Sequence, residues 1–218
     1  MKRIVVIGLG NFGSAVADTL ARKGHDVIAV DKDQEAADRI ANRVAKAVVG
    51  DGTEPDILSE VGARGADVAI ISTGDDVTAS VLAILAAQDL KIPEIYVKVI
   101  STPHARAVDK LGVTGTVFPE RDTGQRLAES LGSAAVLNYV PLSPGFSVQE
   151  MAVPEEWIGR SLRELDLRNA HQVSVVAVHD MLLDEVSGVP DPDARLKDSD
   201  TLFIAGTVGN LQKISRLR

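Results

Sequence analysis

Short apolar runs alternate with amphipathic helical segments over the first 132 residues. The apolar runs are continuous rather than alternating, which is typical of strands that are covered on both faces. Six such strand–helix repeats predict an α/β Rossmann fold, a doubly wound parallel sheet with the order 3-2-1-4-5-6. The predicted strands cover 3–8, 26–31, 45–50, 67–72, 94–100 and 114–119, and the helices begin near Asn11, Asp33, Thr53, Asp75, Thr102 and Glu120.

The regular alternation of strands and helices ends after residue 132, and the stretch 132–148 carries two prolines and two glycines. We therefore predict a first domain over 1–132, a linker over 133–145 and a second domain over 146–218. Strands in the second part are no longer separated by long helices, which favours a small α+β domain. Its predicted strands cover 146–153, 172–180 and 200–206, with a short helix over 161–167 and a terminal helix over 208–218.

Composition narrows the possible functions. The formal charge of −8 argues against a nucleic-acid partner, which normally meets a basic face. The absence of cysteine excludes disulfides, thiol catalysis and iron–sulfur clusters held by cysteine. The sequence runs from Met1 almost directly into a strand and has no apolar run of about 20 residues, so we expect neither a signal peptide nor a membrane span.

A glycine motif joins the first strand to the first helix. Gly8, Gly10 and Gly13 form G-x-G-x-x-G, which permits a tight turn, close approach of a pyrophosphate and close packing of the helix on the strand. Asp31 ends the second strand, where its carboxylate can accept hydrogen bonds from a ribose and would repel the 2′-phosphate of NADP. The pattern predicts an adenine nucleotide site.

Further candidate residues follow the later strands, because ligands of open α/β sheets bind at the carboxyl ends of the strands. Asp51 and Thr53 are positioned to contact an adenine or to cap the next helix, and the threonine is expected to contribute to the cap. Lys98 stands in an apolar run, where it needs either a phosphate or a carboxylate partner. The candidate nucleotide site comprises Gly8, Gly10, Asn11, Phe12, Gly13, Asp31, Lys32, Asp51, Gly52, Thr53, Thr73, Gly74, Lys98 and Glu120.

No catalytic residue is predicted. A dehydrogenase needs an acid or base near the nicotinamide, and the sequence shows neither a His–Asp pair nor a Tyr-x-x-x-Lys pattern. The second domain is also too small for the substrate domain of a dehydrogenase. A protein that binds a nucleotide without turning it over is favoured, and an NAD-dependent oxidoreductase with a minimal second domain is the alternative.

Several stretches resemble the RCK (KTN) gating subunits of Trk and Ktr potassium transporters. They are GLGNFGSAVADTLARKGHDVIAVD, GDGTE, IYVKV, KLGV with VFPE, and SLGSAAVLNYV. EEWIGRSLRELDLRNAHQVSVVAV, followed by DARLKDSDTLFIAG, resembles the TrkA-C domain of the same family. The resemblance covers nearly the whole chain, and the order of the two parts is more specific than the glycine motif alone.

The resemblance implies a regulatory subunit rather than an enzyme. Such a protein lies in the cytoplasm at the inner face of the membrane, forms a dimer and an octameric ring, and gates a membrane potassium-translocating subunit when its nucleotide changes. The helix that begins at Glu120 would be a crossover between neighbouring subunits. Its apolar positions, Leu127, Leu131, Ala134 and Leu137, would be buried either against a partner or within the chain.

The resemblance also implies particular ligands. Glu120 matches a glutamate that binds a divalent cation together with phosphate, and a simple helix-terminal acid is the alternative. Arg168 matches an arginine that contacts cyclic di-AMP, although LDLRNAHQ follows that pattern only in part. Asn11 departs from the arginine of members that discriminate ATP from ADP. The expected ligand is therefore an adenine nucleotide, either NAD(H), ADP, AMP or ATP.

Overall fold

The computed structural model describes residues 1–131, 136–143 and 145–217, and in this range it contains two compact units, Met1–Arg121 and Asp122–Arg218. The first unit and the helix that leaves it have these elements: β1 (Arg3–Ile7), α1 (Asn11–Arg22), β2 (Asp26–Asp31), α2 (Gln34–Ile40), β3 (Lys46–Val49), α3 (Pro55–Glu60), β4 (Val68–Ile71), α4 (Val77–Asp89), β5 (Glu94–Lys98), α5 (Thr102–Lys110), β6 (Gly115–Val117) and α6 (Pro119–Leu131).

The first unit is a parallel sheet, and the predicted strand order β3-β2-β1-β4-β5-β6 is confirmed. The central strand β1 is buried on both faces, because Val5 and Val6 point to opposite sides and neither is exposed. The two cores that cover these faces are built from aliphatic residues, including Ile7, Leu58 and Ile84 on one face and Ile4 and Leu9 on the other.

The second unit is a five-stranded antiparallel sheet with the order β10-β9-β11-β8-β7 over the described residues, so the predicted small α+β fold is confirmed. Trp157 is buried in its core beside Leu202, Ile204 and Leu211. Its elements are β7 (Val136–Ser143), β8 (Phe146–Ala152), a 3₁₀ turn (Glu155–Trp157), α7 (Leu162–Leu165), α8 (Leu167–His171), β9 (Val173–Asp180), β10 (Glu185–Ser187), β11 (Asp200–Thr207) and α9 (Val208–Ile214).

The segment between the domains differs from the prediction. The expected linker over 133–145 contains β7, which pairs with β8 in the second sheet, so the residues 136–143 are strand rather than linker. Pro141 suggested a break in structure, but β7 lies at the edge of the sheet, where a residue without an N–H is tolerated. The division between the units falls inside α6, whereas the sequence predicted a boundary at 132. Ala134 and the rest of 132–135 lie outside the described residues.

Candidate functional site

The glycine loop is held by backbone contacts with the ends of its neighbouring strands. The amide of Gly8 donates to the carbonyl of Val30 at 2.9 Å, and the amide of Ser72 donates to the carbonyl of Ile7 at 2.7 Å. A Cβ on Gly8 would lie 2.0 Å from the carbonyl oxygen of Ser72, and its φ of +91° disfavours any side chain. The first glycine is therefore required by the fold itself.

The other two glycines of the motif play different structural roles. A Cβ on Gly13 would lie 1.9 Å from the carbonyl oxygen of Gly8, so this glycine lets α1 pack tightly on the loop. A Cβ on Gly10 would meet nothing within 4 Å, and the residue is exposed. The open space beside Gly10 is where a ligand can approach the backbone.

The first turn of α1 presents free donors in this open space. Gly10 is the N-cap and offers no side chain to the helix amides, and the first turn contains no acidic residue. Asn11 is exposed and Phe12 is half-buried at the start of the helix. Uncapped amides and the positive end of the helix dipole favour a bound anion at this point, such as a pyrophosphate.

Asp31 lies at the end of β2 and is hydrogen-bonded to the glycine loop. One carboxylate oxygen accepts from the amide of Leu9 at 2.5 Å, and the other accepts from the amide of Asp33 at 2.9 Å. A carboxylate can accept about four hydrogen bonds, so Asp31 retains capacity for ribose hydroxyls. The residue both shapes the loop and lies where the sequence predicted a ribose contact.

A polar group joins Lys32, which follows β2, to Asp51 and Thr53, which follow β3. The ammonium of Lys32 lies 2.9 Å from Asp51, which also accepts hydrogen bonds from the hydroxyl of Thr53 at 2.6 Å and from its amide at 3.0 Å. Burial alone would raise the pKa of Asp51, but these hydrogen bonds outweigh burial and lower it. Asp51 in turn raises the pKa of Lys32.

The expected cap by Thr53 is wrong. The N-cap of α3 is Glu54, without a side-chain hydrogen bond, and Pro55 begins the helix. The hydroxyl of Thr53 donates to Asp51 instead, and the N-cap lies one residue later in the chain than the sequence predicted. Gly52 is needed for packing, since a Cβ there would lie 2.3 Å from Ile7.

Thr73 and Gly74 form the turn between β4 and α4. The Thr73 hydroxyl donates to the carbonyl of Asp76 at 3.3 Å, and Gly74 has a φ of +65°, which favours glycine. The Asp76 carboxylate then caps α4 through the amide of Ala79 at 2.8 Å. The turn therefore follows β4 at the same sheet edge as the glycine loop, and its contact with a ligand stays a prediction.

Lys98 and Glu120 form an ion pair between the end of β5 and the start of α6. The ammonium of Lys98 lies 2.7 Å from Oε1 of Glu120. The side chain of Lys98 is 13% exposed and that of Glu120 is 69% exposed. The lysine lowers the pKa of Glu120. The sequence predicted either a phosphate or a carboxylate as the partner of Lys98. The carboxylate is present within the chain, and a phosphate contact stays a prediction.

The expected cation site at Glu120 gains no support within one chain. The described residues contain no group of three or more His, Asp or Glu side chains that could hold a metal ion. Glu120 supplies a single carboxylate, and that carboxylate is paired with Lys98. A divalent cation would need further oxygen ligands from phosphate or from another subunit.

Two histidines of the first unit lie in structural rather than catalytic surroundings. His25 accepts a hydrogen bond from the amide of Lys2 at 3.2 Å, at the amino end of β1 and therefore at the opposite sheet edge. His104 is buried, and its Nε2 lies 3.1 Å from the hydroxyl of Ser80. Burial lowers the pKa of His104. The Ser80–His104 contact joins α4 to α5, and no short sequence motif predicts it.

The second unit contains a polar network that sequence analysis missed. The buried Glu150 accepts hydrogen bonds from Asn138 and from the hydroxyl of Thr201 at 2.7 Å. Nδ1 of His179 lies 3.3 Å from Glu150, and Nε2 lies 3.2 Å from Asp184. The Glu150 carboxylate raises the pKa of His179. Arg168, the candidate cyclic di-AMP contact, is exposed on α8 and takes no part in this network.

Among the residues that the structure describes, no helix is both long and apolar enough to cross a membrane. The helix with the most apolar composition, α4, has thirteen residues, which is shorter than the roughly 20 that a bilayer requires.

Comparison with known proteins identifies both domains. The model of the TrkA-N domain matches residues 4–119, and that of the TrkA-C domain matches residues 148–218. Ktr system potassium uptake protein A of Bacillus subtilis (strain 168) is 32% identical over 205 residues, which cover 94% of this chain and 91% of that protein. Ktr system potassium uptake protein C of the same organism is 31% identical over 215 residues, which cover 99% of this chain and 96% of that protein.

A solved structure shows the same fold. The GsuK channel bound to NAD matches 99% of this chain and 38% of its own chain, with a TM-score of 0.55 and 23% identity. The family and the fold predicted by resemblance are therefore confirmed. The chain belongs to the family of TrkA-type potassium uptake proteins, with a TrkA-N domain followed by a TrkA-C domain.

Proposed function

We propose that this chain is a nucleotide-binding regulatory subunit of a Ktr- or Trk-type potassium uptake system. The observation that carries the proposal is the uncapped start of α1 behind the glycine loop, with Asp31 beside it. It occurs in a chain that aligns over nearly its whole length with Ktr system potassium uptake protein A. Free helix amides and a carboxylate at the end of β2 are the elements that bind a pyrophosphate and a ribose.

The ligand of this site is an adenine nucleotide. Asp31 favours an unmodified ribose over one with a 2′-phosphate, because two negative charges would meet there. Asn11 offers an amide where selective ATP binding would require a positive charge, so NAD(H), ADP and AMP are favoured over ATP alone. Mass spectrometry of nucleotide released from the purified protein identifies the ligand.

The nucleotide acts as a signal rather than as a substrate. Binding that differs between two shapes of an assembly changes the population of those shapes, and no bond needs to be made or broken. The assembly is a homo-oligomeric ring, and its partner is a membrane potassium-translocating subunit, at which the chain resides on the cytoplasmic face of the membrane. No step of this function uses an acid–base residue.

The decisive experiment is potassium flux into liposomes that contain the membrane subunit. We expect addition of this protein to make the flux depend on the nucleotide, and Asp31→Ala to shift that dependence to nucleotide concentrations about 10- to 100-fold higher. A flux that is unaffected by the protein with every nucleotide tested would contradict the proposal. Turnover of NADH with a small substrate would instead support the oxidoreductase alternative.

A further inference from the structure

The Lys98–Glu120 ion pair connects the carboxyl edge of the sheet to the helix that leaves the first unit. Lys98 is the last residue of β5, and Glu120 is the second residue of α6. The division between the two compact units follows Arg121, directly after this point. The pair therefore fixes the start of the segment through which the chain passes from one unit to the other.

The two partners differ in their access to solvent. The side chain of Lys98 is 13% exposed, so its ammonium has lost most of its hydration and depends on an anion. The side chain of Glu120 is 69% exposed and can be hydrated if it leaves the lysine. A competing anion at Lys98 would consequently displace Glu120 rather than the lysine.

A nucleotide phosphate is such an anion. Lys98 lies at the sheet edge that also carries the glycine loop and the turn at Thr73, which is the edge where open α/β sheets bind ligands. The pyrophosphate of NADH or ADP carries at least two negative charges, against one on a carboxylate, and it has more oxygens that accept hydrogen bonds. The lysine ammonium has three donors, but a phosphate bound to it would bring a second anion close to Glu120, which now lies 2.7 Å away. Repulsion between the two anions would weaken the contact with Glu120.

We propose that the Lys98–Glu120 ion pair is a latch that nucleotide binding opens. A phosphate takes Lys98 and Glu120 is released, so the first turn of α6 loses one of the contacts that hold it to the sheet. This inference rests on the proposed function, since it assigns the regulation of the same site. Because coupling between two equilibria is reciprocal, a pair that the nucleotide breaks must oppose nucleotide binding by the same free energy.

The latch predicts a gain of affinity from the loss of a carboxylate. We expect Glu120→Gln to bind ADP and NADH about two- to fivefold more tightly in EDTA, because an ion pair whose carboxylate is exposed to solvent contributes about 1 kcal/mol. Lys98→Gln should weaken binding, and Glu120→Gln should bring no gain when Lys98 is already replaced. Isothermal titration calorimetry of the three variants measures these affinities.

A matched control lies at the other end of the same strand. Glu94 begins β5 and pairs with Lys2 at 2.6 Å, at the sheet edge away from the glycine loop. Glu94→Gln removes an ion pair of the same type and should leave nucleotide affinity unchanged.

Hydrogen exchange of the α6 amides provides the second measurement. Nucleotide should accelerate the exchange in the native protein, and Glu120→Gln should show the faster rate without nucleotide.

The outcomes separate the latch from the function of the site. Weaker or unchanged binding by Glu120→Gln in EDTA would overturn the latch, as would a gain that persists in the Lys98→Gln background. If the native protein binds no adenine nucleotide, the proposed function itself fails. If it binds one and Glu120→Gln does not bind it more tightly, the latch alone fails.

Discussion

The backbone amide of Leu9 donates a hydrogen bond to the carboxylate of Asp31, so the glycine loop is joined to the end of β2 through a side chain. The same carboxylate accepts from the amide of Asp33, which precedes α2. Asp31 therefore positions two loops at the proposed ribose site in addition to any contact that it makes with the ligand.

The first prediction concerns this carboxylate. Asp31→Ala should weaken the binding of NADH and ADP by one to two orders of magnitude, because a hydrogen bond to a charged group contributes about 1.5–3 kcal/mol. Calorimetric titration measures the loss. Asp67→Ala is the control, since Asp67 also accepts from a backbone amide, that of Arg3 at 2.7 Å, but does so at the opposite sheet edge. Equal affinities of Asp31→Ala and the native protein would show that the ribose lies elsewhere.

Substitutions at two glycines of the motif should have different effects, one on nucleotide binding and the other on stability. Gly10→Ala should fold normally, because its Cβ meets open space, yet it should lose at least tenfold in nucleotide affinity, about 1.4 kcal/mol, because the methyl group occupies the approach to the helix amides. Gly13→Ala should lower the stability by about 1–3 kcal/mol or more, since its Cβ would collide with Gly8. Urea unfolding and calorimetry distinguish the two effects. A stable Gly13→Ala protein would contradict the packing argument.

Asn11 sets the discrimination between nucleotides. A neutral amide at the start of α1 cannot neutralise a γ-phosphate, so we expect the affinities for ATP and ADP to differ by less than about tenfold, roughly 1.4 kcal/mol. Asn11→Arg should raise the affinity for ATP selectively through charge-assisted hydrogen bonds. Competition binding with and without magnesium tests this. Strong ATP preference in the native protein, insensitive to both magnesium and Lys98→Ala, would disprove the role of Asn11.

His104 makes the stability of the first unit depend on pH. Burial lowers its pKa in the folded state, so the unfolded chain takes up a proton more readily, and stability falls as the pH drops below the unfolded value of about 6.5. The native protein should lose stability more steeply than His104→Gln between pH 7 and pH 5, by at most about 1.4 kcal/mol per pH unit. Urea unfolding across this range measures the difference. Parallel curves would show that His104 does not titrate differently in the two states.

The pKa of His179, in the second unit, is shifted in the opposite direction, so its effect on stability changes with pH in the opposite direction as well. Its pKa is raised by Glu150, so its contribution to stability is complete below the unfolded value and is lost as the pH rises through the folded value. The comparison of native protein with the His104 variant cancels this contribution, because both proteins retain His179.

The last prediction concerns assembly. Helix α4 carries exposed apolar side chains at helical spacing, with Leu82 45% and Leu85 41% exposed. Such surface is expected to be buried in an oligomer. The native protein should be at least a dimer in light scattering, and Leu85→Glu should shift it towards smaller species, whereas Lys110→Glu, a charge change on α5, should not. A native monomer at micromolar concentration, with and without nucleotide, would contradict the ring.

The sheet and the glycine loop could be predicted because their signals are local. Continuous apolar runs and a motif of three glycines in six residues need no knowledge of distant partners. The strand β7 was missed because Pro141 looks like a break unless the edge position is known. The bond from Leu9 to Asp31 and the buried Glu150 network depend on residues that are far apart in sequence, and no spacing rule reveals them.

The buried Trp157 has a consequence for observing the two units separately. It is the one tryptophan of the sequence, and it lies in the core of the second unit, with its ring centroid 5.8 Å from that of His171. Tryptophan emission therefore reports on the second unit alone, while the proposed nucleotide site in the first unit has no tryptophan of its own. ADP does not absorb tryptophan emission, so a change in that emission when ADP is added would be an optical signal that binding in the first unit alters the core of the second.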